Sequence, residues 1–292
     1  MAAGTRGIGD SEARVPRGGL RVIGASALGT LFEWYDFFLY GALASTFAAH
    51  FFSGVDETTA FLLALVTFAV GFVVRPLGAI LFGRLGDRVG RKFTFLATLA
   101  LMGSSTVLVG LLPGYAAIGI AAPLMLVALR VLQGLAIGGE FGGAIVYVAE
   151  HAPPGRRALH TSCIPAMAMA GLLLSLIVIA ATRAAMSPAD FAGWGWRLPF
   201  LLSAVLLAIS LWMRISLDES PVFRRMQEAK TLSLAPVAET FLASANLRLV
   251  LAALFGCVIG QAALFYMGTF YAYYFLERIA RLDGMTVALL TS

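Results

Sequence analysis

Five ionisable side chains stand inside long apolar stretches of the 292-residue sequence: Glu33, Asp36, Arg75, Arg130 and Glu140. An ionised residue near a bilayer centre costs about 2.5–3.5 kcal/mol on insertion scales, so the five together would cost on the order of 10 kcal/mol or more if left unpaired. They must face a protein interior, pair with one another, or become neutral. Glu33 and Asp36 are three residues apart and share one helix face, with Tyr40 a further turn along. Two carboxylates in a dry cavity repel when both are ionised, which favours a proton on one of them and suits the pair to gaining and losing it. Asp36 lies about 21 Å along its stretch and Arg130 about 14 Å from the outer end of its own, so both stand near the midplane at depths that allow them to pair. The plainer reading is that Glu33 and Asp36 anchor helices through structural ion pairs. Arg75, immediately before Pro76, either neutralises the carboxylate of a solute or locks the inner ends of two helices. Glu140 is either a proton exit or gate, or the structural partner of an arginine.

The elements that must position these residues follow from composition. The chain is 60% hydrophobic and 13% charged, where a soluble domain carries roughly 25% charge. About 20 apolar residues in helical form cross a bilayer core, and such stretches recur at residues 22–48, 60–83, 93–112, 121–149, 161–182, 198–213 and 249–276. An eighth begins at Met285 but has run only to Ser292 where the sequence ends, which reads as a truncation. The fold expected is all-α and polytopic. Its parts are a tail over residues 1–21, a six-helix bundle over 22–213, a charged linker over 214–248, and the start of a second bundle over 249–292. The first stretch is too long for a signal peptide, lacks a small-residue cleavage site and contains Glu33 and Asp36.

The net charge of +5 comes from basic residues placed mostly in short loops. One side carries Arg6, Arg14, Arg17 and Arg21, then Arg84, Arg88, Arg91 and Lys92, then Arg156 and Arg157, and finally Arg214, Arg224, Arg225, Lys230 and Arg248. The other carries only Arg183, Arg197, Arg278 and Arg281. By the positive-inside rule the tail and the even-numbered loops are cytoplasmic. Within the linker, Ser220 before Pro221 reads as a helix cap, with a short amphipathic helix over about 221–230. Cys163 and Cys257 stand alone in apolar segments, and His50, His151 and His160 fall at span ends, so none is assigned a metal, disulfide or proton-relay role.

Gly83-Arg84-Leu85-Gly86-Asp87-Arg88-Val89-Gly90-Arg91-Lys92, between the second and third stretches, resembles the signature loop of the major facilitator superfamily. Here the glycines allow a tight turn and close helix approach, and Asp87 either caps the next helix or pairs with a neighbouring arginine. Arg130-Val131-Leu132-Gln133-Gly134 looks like the family's Arg-x-x-Gln-Gly element, associated with proton coupling, and Gly134, Gly138 and Gly142 make a smooth face for helix packing. Phe32 to Phe37, Arg75-Pro76-Leu77-Gly78 and Gly193 to Phe200 narrow the resemblance to the metabolite:proton symporter branch. That branch includes importers of citrate, 2-oxoglutarate, shikimate, aromatic acids, and proline or betaine, and its members typically have twelve spans. The residues read for proton coupling are Asp36, Glu33, Arg130 and Glu140, with Arg130 also carried by the resemblance, and those read for a solute path are Arg75, Tyr40 and Gln261. Trp194 and Trp196 read as an interfacial aromatic belt, and Tyr266, Tyr271, Tyr273 and Tyr274 as lining or anchoring residues of the seventh stretch.

The function expected is secondary active transport by proton symport of a small metabolite such as an organic acid, in a bacterial inner membrane. The alternatives are a non-transporting half-carrier and uptake of a zwitterionic osmolyte such as proline or betaine. Neither His-Glu-x-x-His nor Gly-x-Ser-x-Gly occurs, which argues against an enzyme, and no Gly-x-x-x-x-Gly-Lys-Ser/Thr loop is present for nucleotide. The partners expected are solute, protons and the lipid bilayer, with no cofactor, no metal, no nucleic acid and no obligate protein partner.

Overall fold

The computed structural model describes residues 17–153, 155–216, 218–231, 235–271, 275–280 and 282, and every regular element among them is helical. The chain divides into two compact units, Met1–Ser233 and Leu234–Ser292. Among the described residues, six helices are long and apolar enough to cross a membrane: Glu57–Val89, Arg91–Leu111, Ala121–His151, Arg157–Ala184, Arg197–Ile215 and Ser244–Phe265. They are the second to seventh helices below. The first helix, Arg17–Ala42, continues after Leu43 as Ala44–Phe51 and is long enough to cross, but Glu33 and Asp36 lower its apolarity.

In the first unit the first helix packs on the fifth, the third on the sixth, and the fourth on both the second and the third. Small residues set these distances. A Cβ on Gly78 would run into the backbone of Leu135, and one on Gly138 into the backbone of Arg75, so the second and fourth helices touch main chain to main chain. Aromatic residues fill one end of this unit, where Tyr40, Phe47, Phe51, Trp196 and Phe200 form one buried cluster.

Local chemistry fixes the helix ends. Asp56 accepts from the Thr59 amide at 3.0 Å, which starts the second helix and holds the Asp56 carboxyl below the usual aspartate range. Pro76 stands in the first turn of Arg75–Val89, where its missing N–H is tolerated, and the second helix is interrupted there at Val74. The signature segment expected as a loop is helical through Val89. The break is Gly90 alone, at φ 122° and ψ 155°, a region open essentially only to glycine.

Ser220 caps Pro221–Glu228 as expected, its hydroxyl accepting from the Phe223 amide at 3.2 Å. In the second unit the seventh helix contains a π-turn at Leu254–Val258. The eighth stretch, from Met285, lies outside the described residues, as do Tyr273 and Tyr274.

Candidate functional site

The five charged residues singled out in the sequence all fall in the first unit and are arranged in two layers. The deeper layer surrounds Asp36, which is 5% exposed. Ser203 on the sixth helix donates to Asp36 Oδ1 at 2.5 Å, and Thr106 on the third helix stands beside the same carboxyl group while donating to the Met102 carbonyl at 3.0 Å. Gln133 donates from Nε2 to Thr106 Oγ1 at 2.8 Å and accepts from Arg130 Nη1 at 2.7 Å. In place of the direct Asp36–Arg130 pair considered from sequence, hydrogen bonds run from Arg130 through Gln133 to Thr106, which adjoins Asp36. Depth placed the two charges together, but two neutral side chains occupy the space between them.

Arg130 is fully buried and held by rings, its guanidinium carbon lying 4.6 Å from the Phe37 centroid, 4.5 Å from Tyr40 and 5.2 Å from Phe68. Cation–π contact replaces a carboxylate partner here. Arg75, half-buried, lies 4.4 Å from the same Phe37 ring and 4.3 Å from Phe72. Phe37 is thus shared by the two arginines. Tyr40 is packed rather than open, with its hydroxyl donated to the Ala64 carbonyl at 3.2 Å and its ring stacked on Phe47 at 4.4 Å. Gln261 is exposed and belongs to the second unit.

The inner layer joins Glu33, Glu140 and Arg214. Arg214 Nη1 pairs with Glu140 and lies 3.8 Å from Glu33 Oε1, and the Thr98 hydroxyl donates to Glu140. Counting Arg214 as a residue of the cytoplasmic linker was an error: it is 3% exposed in the last turn of the sixth helix. Gly29 permits this, since a Cβ there would overlap the Arg214 guanidinium. Of the two readings left open for Glu140, the geometry realises the arginine partner.

At the end that carries the signature segment, Asp87 pairs with Arg91 at 3.0 Å and does not cap the third helix. The cap comes from Glu219, whose carboxylate accepts from the Arg91 amide at 3.0 Å and the Lys92 amide at 3.2 Å. Lys92 Nζ in turn donates to the Ile215 carbonyl at 2.7 Å, and Ser220 donates to Glu150 at 2.5 Å. Gly83, Gly86 and Arg88 complete the segment on the helix that precedes Gly90. Trp196 departs from the aromatic belt expected of it: it is fully buried and donates to His50 Nε2 at 3.2 Å, whereas Trp194 is 52% exposed.

Thr98, Thr106, Ser203 and Arg214 were not found from sequence. The three hydroxyls carry no signal in an apolar run, because a span readily satisfies them through its own carbonyls. Arg214 did carry one, since Leu211, Trp212, Met213 and Ile215 flank it.

A family model described as "Sugar (and other) transporter" matches residues 22–246. The chain belongs to this transporter family. Among its relatives, the Inner membrane metabolite transport protein YhjE of Escherichia coli is 43% identical over 253 residues, covering 86% of this chain and 57% of the relative. The Shikimate transporter of Escherichia coli is 41% identical, covering 74% of this chain and 50% of its own. The Proline/betaine transporter of Salmonella typhimurium is 38% identical, covering 70% and 41%. The chain thus spans about half the length of the curated relatives it matches.

Solved structures give the fold. The major facilitator superfamily proton:xylose symporter XylE matches with a TM-score of 0.66 at 17% identity, over 94% of this chain and 61% of that one. An inward-open structure of XylE from E. coli matches with a TM-score of 0.64 at 19% identity, over 88% and 61%. The chain therefore has the major facilitator fold over these residues.

Proposed function

We propose that this chain serves secondary active transport, the proton symport of a small metabolite such as an organic acid across a bacterial inner membrane, with its N-terminus cytoplasmic. The observation that carries this reading is the buried Asp36 carboxyl, which accepts from Ser203 and adjoins Thr106 at the end of the hydrogen bonds from Arg130 and Gln133. A carboxyl group in a dry interior, supported by neutral hydroxyls rather than by a cation, can exist with or without its proton, and that is what a proton-coupled carrier needs. The neighbouring Glu33 and Glu140 belong to the same proton-handling region. The names of the relatives support the substrate class, and the positive-inside count supports the orientation. Substrate binding would fall near the midplane of such a fold, and coupling would bias its alternating states.

Arg75 is our candidate for the cation facing a solute carboxylate, because it is half-buried against Phe37 and Phe72 next to the proton-handling layer. Nothing in the packing favours the same role for Tyr40 or Gln261. A zwitterionic substrate is the second reading, favoured by the relative named as a proline/betaine transporter. An enzymatic role is not part of this reading.

Membrane vesicles carrying the chain, given an imposed pH gradient and radiolabelled shikimate, proline or betaine, test it. Accumulation that collapses with a protonophore and in Asp36→Asn, with membrane insertion intact, is the expected result. Unchanged uphill uptake in Asp36→Asn would remove Asp36 from the mechanism. Absence of uptake for every solute favours the half-carrier reading.

A further inference from the structure

The inner layer contains one more negative group than positive. Glu33, Glu140 and Arg214 are 3%, 1% and 3% exposed, so water cannot balance the difference. The charged groups acting on Glu33 are Glu140, Arg214 and Asp36, and those acting on Arg214 are Glu140, Glu33 and the Tyr147 hydroxyl. Asp36 is engaged by Ser203 and Thr106, the third helix adds only the Thr98 hydroxyl and the Phe95 ring, and no second cation reaches the cluster among the described residues. Arg214 Nη1 faces both Glu33 Oε1 and Glu140 Oε1, so two carboxyl groups are set against one guanidinium nitrogen. Two ionised carboxylates so placed in a dry interior repel, and a proton on the pair removes that repulsion.

We infer that Glu33 and Glu140 share a single proton, which makes the triad with Arg214 electrically neutral. This is a second protonation site, set on the first helix about 4.5 Å inward of Asp36 by the three-residue separation. The proton stays within the Glu33–Glu140 pair, while Arg214 remains charged and donates to Glu140. Arg214 is the positioning residue. It holds the two carboxyl groups together from the sixth helix, and Gly29 gives it room against the backbone of the first. Three helices are joined by this one proton and one guanidinium. Loss of the proton would leave a bare negative charge in a site sealed from water, so its binding is tied to the closed packing of this layer.

The inference deepens the proton-coupling reading of the same region and rests on it for its biological purpose, but a bound proton is detected without any transport. The two can therefore fail separately. The experiment is infrared spectroscopy of the chain reconstituted in lipid vesicles at neutral pH, unlabelled and with carbon-13 in the carboxyl groups of either glutamate or aspartate. We expect a protonated-carboxyl band that shifts with the glutamate label and persists in Asp36→Asn. Glu33→Gln and Glu140→Gln should each abolish it, because the remaining carboxylate then pairs with Arg214 and needs no proton. Arg214→Met should raise it by about twofold, as both carboxyl groups take up protons. A spectrum without a glutamate-derived band overturns the proposal, as does a band that survives in both glutamine variants. If a variant fails to insert, the labelled parent chain alone decides the question.

Discussion

Arg130 and Asp36 form no ion pair: Arg130 donates to Gln133 at 2.7 Å, Gln133 donates to Thr106 at 2.8 Å, and Thr106 stands beside Asp36. Thr106 is the weak point of this chain, because its hydroxyl both accepts from Gln133 and donates to the Met102 carbonyl at 3.0 Å.

Thr106→Val keeps the shape and removes the hydroxyl. It should lower proton-driven accumulation by about tenfold or more, whereas Thr106→Ser should restore most of it. The valine variant leaves the buried Gln133 amide without its acceptor, at a cost of about 1–3 kcal/mol, so the comparison must use equal amounts of folded protein in the membrane. Accumulation by Thr106→Val equal to that of the parent would show that the chain of hydrogen bonds is structural only.

Glu219 reaches back across 128 residues of chain to the amide of Arg91, and caps a helix that has only Gly90 before it. Glu219→Ala should destabilise the first unit by about 1 kcal/mol, within the ordinary range for losing a helix cap. Glu219→Gln keeps an acceptor and should cost less. Hydrogen exchange at the Arg91 and Lys92 amides measures this locally. Faster exchange at those two positions in Glu219→Ala, with the middle of the third helix unchanged, is the expected pattern.

The helices and their order were legible because apolar runs long enough to cross a bilayer are hard to mistake. Asp36, Arg130 and Glu140 were legible because burying a charge is costly and so rarely accidental. The partners were not. Thr98 and Thr106 each bond a carbonyl four residues back in their own helix, which makes them unremarkable in a span until the neighbouring helix is in place. Arg214 was lost for a different reason: it stands where an apolar run meets a charged linker, and a count of basic residues by loop assigns it to the wrong side of that boundary. Trp194 and Trp196 show the limit of composition alone, since two residues of one type, two positions apart, ended respectively at the surface and in the core.

Gly138 tests the close contact between the second and fourth helices. A side chain there meets the carbonyl of Arg75, which is backbone and cannot rotate away. Gly138→Ala should therefore cost about 1–3 kcal/mol through forced separation of the helices, against a gain of up to about 1 kcal/mol in helix propensity. Gly142 lies one turn further along the same helix with open space around it, so Gly142→Ala should be neutral or stabilising. Thermal unfolding of the two variants in the same detergent gives the comparison, and equal midpoints would contradict the packing described here.

Arg130 separates charge from geometry. Its guanidinium donates to Gln133 at 2.7 Å and lies against Phe37, Tyr40 and Phe68, so it needs both a positive charge and a flat shape. Arg130→Lys keeps the charge but has a compact ammonium in place of the planar fork, and it loses the stacking that a guanidinium makes with rings. Arg130→Gln loses the charge as well. Coupling should fall in the order parent, lysine, glutamine, with the lysine variant retaining measurable proton-driven uptake and the glutamine variant retaining little. The accompanying readout is exchange of labelled solute at equal pH on both sides, which does not require net proton movement. If exchange survives in Arg130→Gln while uphill accumulation is lost, Arg130 acts on the proton. If both are lost together in the lysine and glutamine variants, the residue is a structural post for the three rings, and the coupling role falls to Asp36 without it.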